Sequence, residues 1–162
     1  MTMRVSAKFW IVILLSASLI GGIARPSLAI LDKTRFVAHL GVAYFCYHHW
    51  VSQPYKEGKL SEGAPHRTAS IIKAGGALLF AVHEIKVSSK IAHASNDKLL
   101  QKVAGALDNM GESFSSIGSR FKAGSFSKSD VDALGTSFGQ MDRAALANKI
   151  SVKDVPVAIP GN

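Results

Sequence analysis

The chain has 162 residues, of which 48% are apolar and 19% charged, with one cysteine and a formal net charge of +8. This composition is too apolar for a disordered chain and too poor in cysteine for a disulfide-stabilised scaffold. The length fits one domain, or two at most, and excludes the large folds that pair a dinucleotide-binding domain with a second domain.

The N-terminal segment, residues 1–29, has the three parts of an export signal. Arg4 and Lys8 form a positive start, and residues 9–20 are an unbroken stretch of twelve mostly apolar residues. The segment contains no acidic residue and ends in small residues at Ala29. We therefore expect a signal peptide that is cleaved after Ala29 and an exported protein, located in the periplasm, on the cell surface or outside the cell.

An uncleaved membrane anchor is the alternative for this segment. A spanning helix needs about 20 apolar residues, whereas the run over residues 9–24 reaches sixteen before Arg25. The pairs Gly21-Gly22 and Arg25-Pro26 are expected to break the apolar helix that precedes them. Length and flanks favour the cleaved signal, and a retained signal would associate the protein with a membrane through residues 9–24.

Cleavage of the signal would also change the net charge of the protein. Arg4, Lys8 and Arg25 leave with the signal, so the mature chain of 133 residues carries a net charge of +5. Its lysines are scattered, and no nucleic-acid-binding motif is present, so nucleic acid is not expected as a partner. An unknown protein or an anionic component of the envelope is compatible with this charge.

The clearest helical pattern lies over residues 97–121, and Ser95 or Asn96 is expected to cap its start. Apolar residues recur there at alternating spacings of three and four, which places them on one face. These residues are Leu100, Val103, Leu107, Met110, Phe114, Ile117 and Phe121.

A second amphipathic pattern follows, and either Ser127 with Asp130 or Ser129 with Asp132 is placed for a capping arrangement at its start. The short connection over residues 122–128 predicts that the two helices are antiparallel neighbours. The apolar positions of this second pattern are Val131, Leu134, Phe138, Met141 and Ala145.

Residues 34–51 predict a helix that is apolar on nearly every side and therefore central to the core. Pro54 marks the loop that follows. A further helix is expected from about residue 66 to residue 94, with Ile72, Gly76, Leu79 and His83 on one face. The pair Gly75-Gly76 inside this helix indicates a close backbone approach to a neighbour or a local bend.

No strand pattern competes with these four helices. The sequence predicts an all-α protein, an antiparallel four-helix bundle that follows an N-terminal export signal. The expected division is a signal over residues 1–29, a bundle domain over residues 30–150 and an extended tail over residues 151–162.

Two histidines lie within apolar patterns, and haem is the cofactor that they suggest. Helical bundles can hold a b-type haem between two axial histidines, and His39 and His83 are the candidates for this role. The absence of a Cys-x-x-Cys-His motif excludes covalently attached haem. The alternative is that both histidines are core residues whose ring N–H groups are bonded to neighbouring acceptors.

Cys46 and His49 suggest a metal site, because residues three apart on a helix can face the same ion. A closed zinc site needs four ligands, and a second cysteine is missing. The alternative is an aromatic helix end in which Cys46 is buried as a small apolar residue.

Catalysis has little support in the sequence. His83-Glu84 begins a metalloprotease pattern, but Val87 occupies the position of the second histidine. The best-supported function is an exported binding or scaffold protein of the cell envelope or extracellular space. A haem- or metal-binding protein comes next, followed by a subunit of a membrane complex that retains its N-terminal anchor.

Overall fold

The computed structural model describes residues 24–158, and every regular element within this range is helical. The elements are α1 (Ala24–Tyr47), a π-helical turn (His48–Ser52), α2 (Gln53–Lys56), α3 (Arg67–Ala94), α4 (Lys98–Lys122) and α5 (Lys128–Ala147). The predicted all-α antiparallel four-helix bundle is confirmed, with α1, α3, α4 and α5 as its long helices. The first 23 residues of the predicted export signal lie outside the described residues.

Helix α1 begins ten residues earlier than the pattern from residue 34 predicted. The helix that Gly21-Gly22 and Arg25-Pro26 are expected to break lies outside the described residues, and Pro26 itself lies in the first turn of α1. Proline has no N–H group to donate, and in the first turn of a helix that group has no intrahelical acceptor anyway. The predicted cleavage point after Ala29 therefore falls inside a helix.

The end of α1 is continued by a π-helical turn and then by the four residues of α2. Pro54 was expected to mark a loop, but it lies near the start of α2, where a proline is again tolerated. The loop to α3 contains Gly58 and Gly63, which both have positive φ angles.

Helix α4 confirms the clearest sequence pattern. All seven residues of its predicted apolar face are at most 3% exposed. The residue that caps the helix is Asp97, whose side chain accepts a hydrogen bond of 2.8 Å from the Leu99 N–H group. Ser95 supports this cap, because its hydroxyl oxygen accepts a hydrogen bond of 3.1 Å from the Asp97 N–H group.

Helix α5 begins with a capping box made by Ser127 and Asp130, which is one of the two arrangements that the sequence allowed. The Asp130 carboxylate is buried and also forms an ion pair of 2.8 Å with Arg120 near the end of α4. This pair ties the two ends of the short connection together and supports the antiparallel packing of α4 and α5.

Helix α3 turns a different face to the core than the sequence suggested. The stripe of Ile72, Gly76, Leu79 and His83 points outward, with Ile72 69% and Leu79 44% exposed. The buried face consists of Ile71, Ala74, Leu78, Val82 and Ile85.

The close approach predicted at Gly75-Gly76 is confirmed for Gly75. A Cβ atom at Gly75 would lie 3.6 Å from the Lys122 backbone nitrogen, so α3 and α4 pack there in direct van der Waals contact. Gly118 allows the same close approach from α4, because a Cβ atom there would lie 3.6 Å from the Leu78 Cβ atom. Gly76 faces open space instead, since a Cβ there would meet no atom within 4 Å.

The segment after α5 has no regular helix over residues 148–158, and it packs on α1. Ile150 is fully buried, and the Val155 N–H group donates a hydrogen bond of 2.9 Å to the Gly41 carbonyl oxygen. A Cβ atom at Gly41 would collide with the Lys153 carbonyl oxygen and lie 2.7 Å from a Val155 methyl carbon. The absence of a side chain at Gly41 therefore makes room for this segment.

Helix α3 is also long and apolar enough, at a mean hydropathy of 1.2, to cross a membrane by length and composition alone. Half of that stretch is buried among the other helices. A core helix of a bundle passes the same test, so this property does not indicate a membrane span.

Candidate functional site

A buried carboxylate lies at the contact between α1 and α3. Glu84 is 8% exposed, and its Oε2 atom lies 2.6 Å from Nδ1 of His39 on α1. The His83 ring approaches the other carboxylate oxygen, with Nε2 4.0 Å from Oε1. The structure thus brings both predicted haem-ligand histidines next to one acidic residue, which the sequence indicated only as part of an incomplete metalloprotease pattern.

The geometry of this cluster fixes the His39 ring. With Nδ1 bonded to a carboxylate, the ring is oriented and its Nε2 atom is the one turned away from Glu84. A carboxylate-bonded histidine is the usual arrangement for a metal ligand, and it is also a common way to satisfy a buried carboxylate. Whether His39 is a metal ligand or only the partner of a buried carboxylate depends on whether a second ligand lies opposite it.

The arrangement expected for two haem ligands is not the one found. His83 is 68% exposed on the outer face of α3, whereas His39 faces α3 from α1 with about a third of its side chain exposed. Axial ligands have to face each other across a cavity that holds the macrocycle. His39 and His83 instead flank the Glu84 side chain.

The predicted metal pair, Cys46 and His49, is separated by the packing. Cys46 is fully buried, and His49 is exposed and stacks on the Phe45 ring at 5.0 Å. Over residues 24–158, no group of three or more histidine, cysteine or acidic side chains is placed to hold a metal ion. Burial, and to a smaller extent the nearby Glu84 carboxylate, raises the pKa of the Cys46 thiol to about 11, which keeps it protonated near neutrality.

The π-helical turn anchors an aromatic cluster between α1 and α5. The Phe138 ring on α5 lies 3.8 Å from the Tyr44 ring and 5.2 Å from the Tyr47 ring, measured between centroids. His48 adds a fourth ring at 4.6 Å from Phe138 and forms an ion pair of 2.9 Å with Asp154 of the C-terminal segment. This cluster closes the bundle at that end.

The Tyr44 hydroxyl is buried in this cluster and has no hydrogen-bond partner among the residues that the structure describes. Burial raises the pKa of the Tyr44 phenol well above its ordinary value, and the nearby carboxylates of Asp142 and Asp154 add to this effect. The phenol is therefore neutral at every physiological pH.

The outward face of α3 forms one side of a surface groove of about 500 Å³, and the end of α4 forms the other side. Gly76 has no side chain, so the floor of the groove is open at that position. The exposed side chains of Ile72 and Leu79 line the groove on either side of Gly76. The charged residues among those that line it are Arg67 and Lys122, both basic. The sequence pattern indicated that these residues share one face of α3, but it did not show that this face is exposed.

A second groove of about 800 Å³ lies farther along α3 and α4, and its charges are mixed. Lys86 and Lys90 face Asp108 and Glu112 across it. Asp108 is engaged by its neighbours, since hydrogen bonds from Ser89 and then from His93 lower the pKa of its carboxyl group. This groove therefore presents both positive and negative side chains to a ligand.

Comparison of the chain with models of protein families, with curated proteins and with solved structures finds no match.

Proposed function

We propose that this protein is an exported binding protein and that its ligand site is the apolar groove between α3 and α4. The observation that carries the proposal is the outward stripe of α3, in which Ile72 and Leu79 are exposed on either side of the bare backbone of Gly76. Binding, rather than catalysis, is the activity that such a surface supports.

The cost of this surface supports a role for it. Exposed apolar area costs roughly 25 cal/mol per Å² relative to burial, and contiguous apolar patches on small proteins commonly mark binding sites. The same helix buries a full apolar face on its other side. A polar residue at position 72 or 79 would therefore leave the core packing of α3 intact.

The volume of the groove also supports small-molecule binding. Ligand pockets typically enclose about 300–1,000 Å³ and combine an apolar lining with a few polar groups. The groove has about 500 Å³, and its lining combines apolar side chains with two basic residues, Arg67 and Lys122.

The test blocks the groove without touching the core. Gly76→Leu places a side chain in the groove, because nothing lies within 4 Å of the Cβ position. Gly105→Leu on α4 is the matched control, since Gly105 is also exposed and has no atom within 4 Å of its Cβ position. Saturable binding of a neutral fluorescent probe such as N-phenyl-1-naphthylamine is measured for the protein recovered after export.

We expect saturable binding to the wild type and to Gly105→Leu, with at least a tenfold loss in Gly76→Leu. Binding that is unaffected by Gly76→Leu, or no saturable binding at all, contradicts the proposed site. Circular dichroism of all three proteins shows whether the fold is retained.

A second candidate, a membrane-complex subunit that keeps its N-terminal anchor, is favoured by the start of α1. The helix runs through the predicted cleavage point, and Leu28, Ile30 and Leu31 are all more than half exposed there. A peptide bond inside a helix is cut only after that turn unwinds. A retained anchor would place these apolar side chains close to a bilayer surface.

N-terminal sequencing of the mature protein separates the two candidates. A chain that begins at Ile30 supports the exported binding protein and excludes the anchor. An intact N-terminus in a membrane fraction that resists carbonate extraction supports the anchored subunit.

A further inference from the structure

We propose that a second copy of this chain docks on the mixed-charge groove between α3 and α4. In the symmetric dimer that results, Lys86 of each copy pairs with Glu112 of the other copy. This inference goes beyond the proposed ligand site in the apolar groove, and either of the two can fail without the other.

The charges of the mixed-charge groove are separated by helix. The α3 side carries Lys86 and Lys90, and the α4 side carries Asp108 and Glu112, all of them exposed. Among the residues that the structure describes, no ion pair joins the two sides. Because the two sides cancel, the net positive charge of the whole chain does not oppose association at this face.

The opposite charges lie at nearly the same level along the bundle. A Cβ atom at Gly111 would lie 3.4 Å from an Ile85 methyl carbon, so these two residues are level, and Lys86 and Glu112 are their immediate neighbours in the chain. Each of these two charges is therefore within one helical turn of the other along the bundle axis.

This pattern is self-complementary for one orientation of a second copy. A two-fold axis that runs along the helices, between the two copies, lays α3 of one copy over α4 of the other at the same level. Lys86 then meets Glu112 of the second copy, and the contact occurs twice. An axis across the helices would instead lay α3 over α3 and bring lysine against lysine, so charge complementarity selects the first orientation.

Glu112 is the acid that is available to a second copy. Asp108 is already engaged by the Ser89 hydroxyl and the His93 ring of its own chain. Glu112 has no ion-pair partner among the described residues. An ion pair between two copies would give the Glu112 carboxylate a partner that its own chain does not supply.

The shape of this face also suits a second copy. The α4 side is lined by small residues, Gly111, Ser115 and Ser119, which leave room for the side-chain ridge of another helix. Leu79 is exposed and level with Gly118, since a Cβ atom there would lie 3.9 Å from the Leu79 Cδ2 atom. The same rotation therefore lays Leu79 of each copy over the small residues of the other, which adds apolar contact to the ion pairs.

A charge swap tests the pairing directly. Lys86→Glu puts acid against acid at both contacts of the dimer, and Glu112→Lys puts lysine against lysine. An equimolar mixture of the two variants restores opposite charges at both contacts of the mixed dimer. Lys56→Glu on α2 and Glu62→Lys in the loop before α3 are the matched controls, because both residues are exposed and neither lines the groove.

Sedimentation velocity of the protein recovered after export measures association over a concentration series. We expect the wild type and both controls to dimerise, and each swap variant alone to dimerise at least about tenfold more weakly because like charges meet. The mixture should recover the wild-type affinity to within about twofold. Raising the salt concentration should weaken the wild-type dimer. Circular dichroism shows whether each variant is folded.

Three outcomes overturn the inference. A wild type that stays monomeric throughout the series refutes the dimer, and binding of the fluorescent probe by that monomer would leave the proposed function intact. Dimers that persist unchanged in both folded swap variants assign the contact to another face. Two folded, monomeric variants whose mixture stays monomeric show that Lys86 and Glu112 do not pair.

Discussion

The carboxylate of Glu84 is removed from water at the contact between α1 and α3, where an unpaired charge would be costly. The 2.6 Å contact with His39 Nδ1 provides the partner that makes this burial tolerable. Because the pair joins two long helices through side chains 45 residues apart, it fixes their relative position as well as satisfying the carboxylate.

Breaking this pair should destabilise the fold. His39→Ala leaves the carboxylate buried without its partner, and we expect a loss of about 1–3 kcal/mol in the free energy of unfolding. Urea denaturation followed by circular dichroism measures the change. Since His83 is mostly exposed, His83→Ala is the control, with an expected change within about 0.5 kcal/mol. A His39→Ala protein as stable as the wild type would show that water replaces the imidazole.

Glu84 could not be identified from sequence as a central residue. It lies in an apolar run of α3 next to His83, and the only local signal was a metalloprotease pattern that Val87 breaks. Its actual partner is 45 residues away, and no periodicity within α3 points to it. His39, His83 and Cys46 could be selected as candidates from the sequence, but nothing in the sequence showed that Glu84 lies near all three.

At the scale of elements, the contact between α1 and the C-terminal segment depends on the absence of one side chain. Gly41 lies inside the last third of α1, and a glycine within a helix lowers its stability by about 1 kcal/mol relative to alanine. Its carbonyl oxygen accepts the hydrogen bond from Val155, and the segment covers the space where a Cβ would lie. The packing of this segment offsets the lower helix propensity.

Gly41→Ala should therefore destabilise the protein although alanine is the better helix former. The methyl group would collide with the Lys153 carbonyl oxygen, and we expect a loss of about 1–3 kcal/mol in unfolding free energy. Gly105→Ala is the control, because its Cβ meets no atom and we expect a gain of up to about 1 kcal/mol. Equal stabilisation by both substitutions would show that the C-terminal segment does not pack on α1 in solution.

The helices differ in how far their packing could be predicted. In α4, polar residues occupy the side opposite the apolar stripe, so one face alone could be buried. In α3, the stripes through Ile71 and through Ile72 are both apolar, and alanine and glycine fill the positions between them. Periodicity alone does not show which of the two stripes is buried. The surface of α4 fits the Ile71 side more closely, so that side faces the core.

At the scale of the whole molecule, a buried thiol and a buried phenol make the stability of the fold depend on pH in the alkaline range. The pKa of the Cys46 thiol is raised to about 11, and the pKa of the Tyr44 phenol is also raised above 10.0. On unfolding, both groups return to ordinary values and release their protons at lower pH. The unfolded state therefore binds fewer protons than the folded state above about pH 9, and stability falls as the pH rises.

We expect the free energy of unfolding to be level from neutrality to about pH 9 and to decline above it, as measured by urea denaturation at a series of pH values. Tyr44→Phe should flatten the part of the decline above pH 10. At neutral pH it should not reduce stability, because it removes a buried hydroxyl that has no partner among the described residues. A decline of unchanged slope in Tyr44→Phe would show that the phenol is accessible to water in the folded state.

The C-terminal segment packs on the last part of α1 and on the turn that follows it. Protein synthesis delivers a chain from its N-terminus to its C-terminus, so α1 is made well before the segment that covers it at Gly41. Until Val155 reaches Gly41, that side of α1 stays uncovered. The order of synthesis thus makes this contact one of the last in the fold to form.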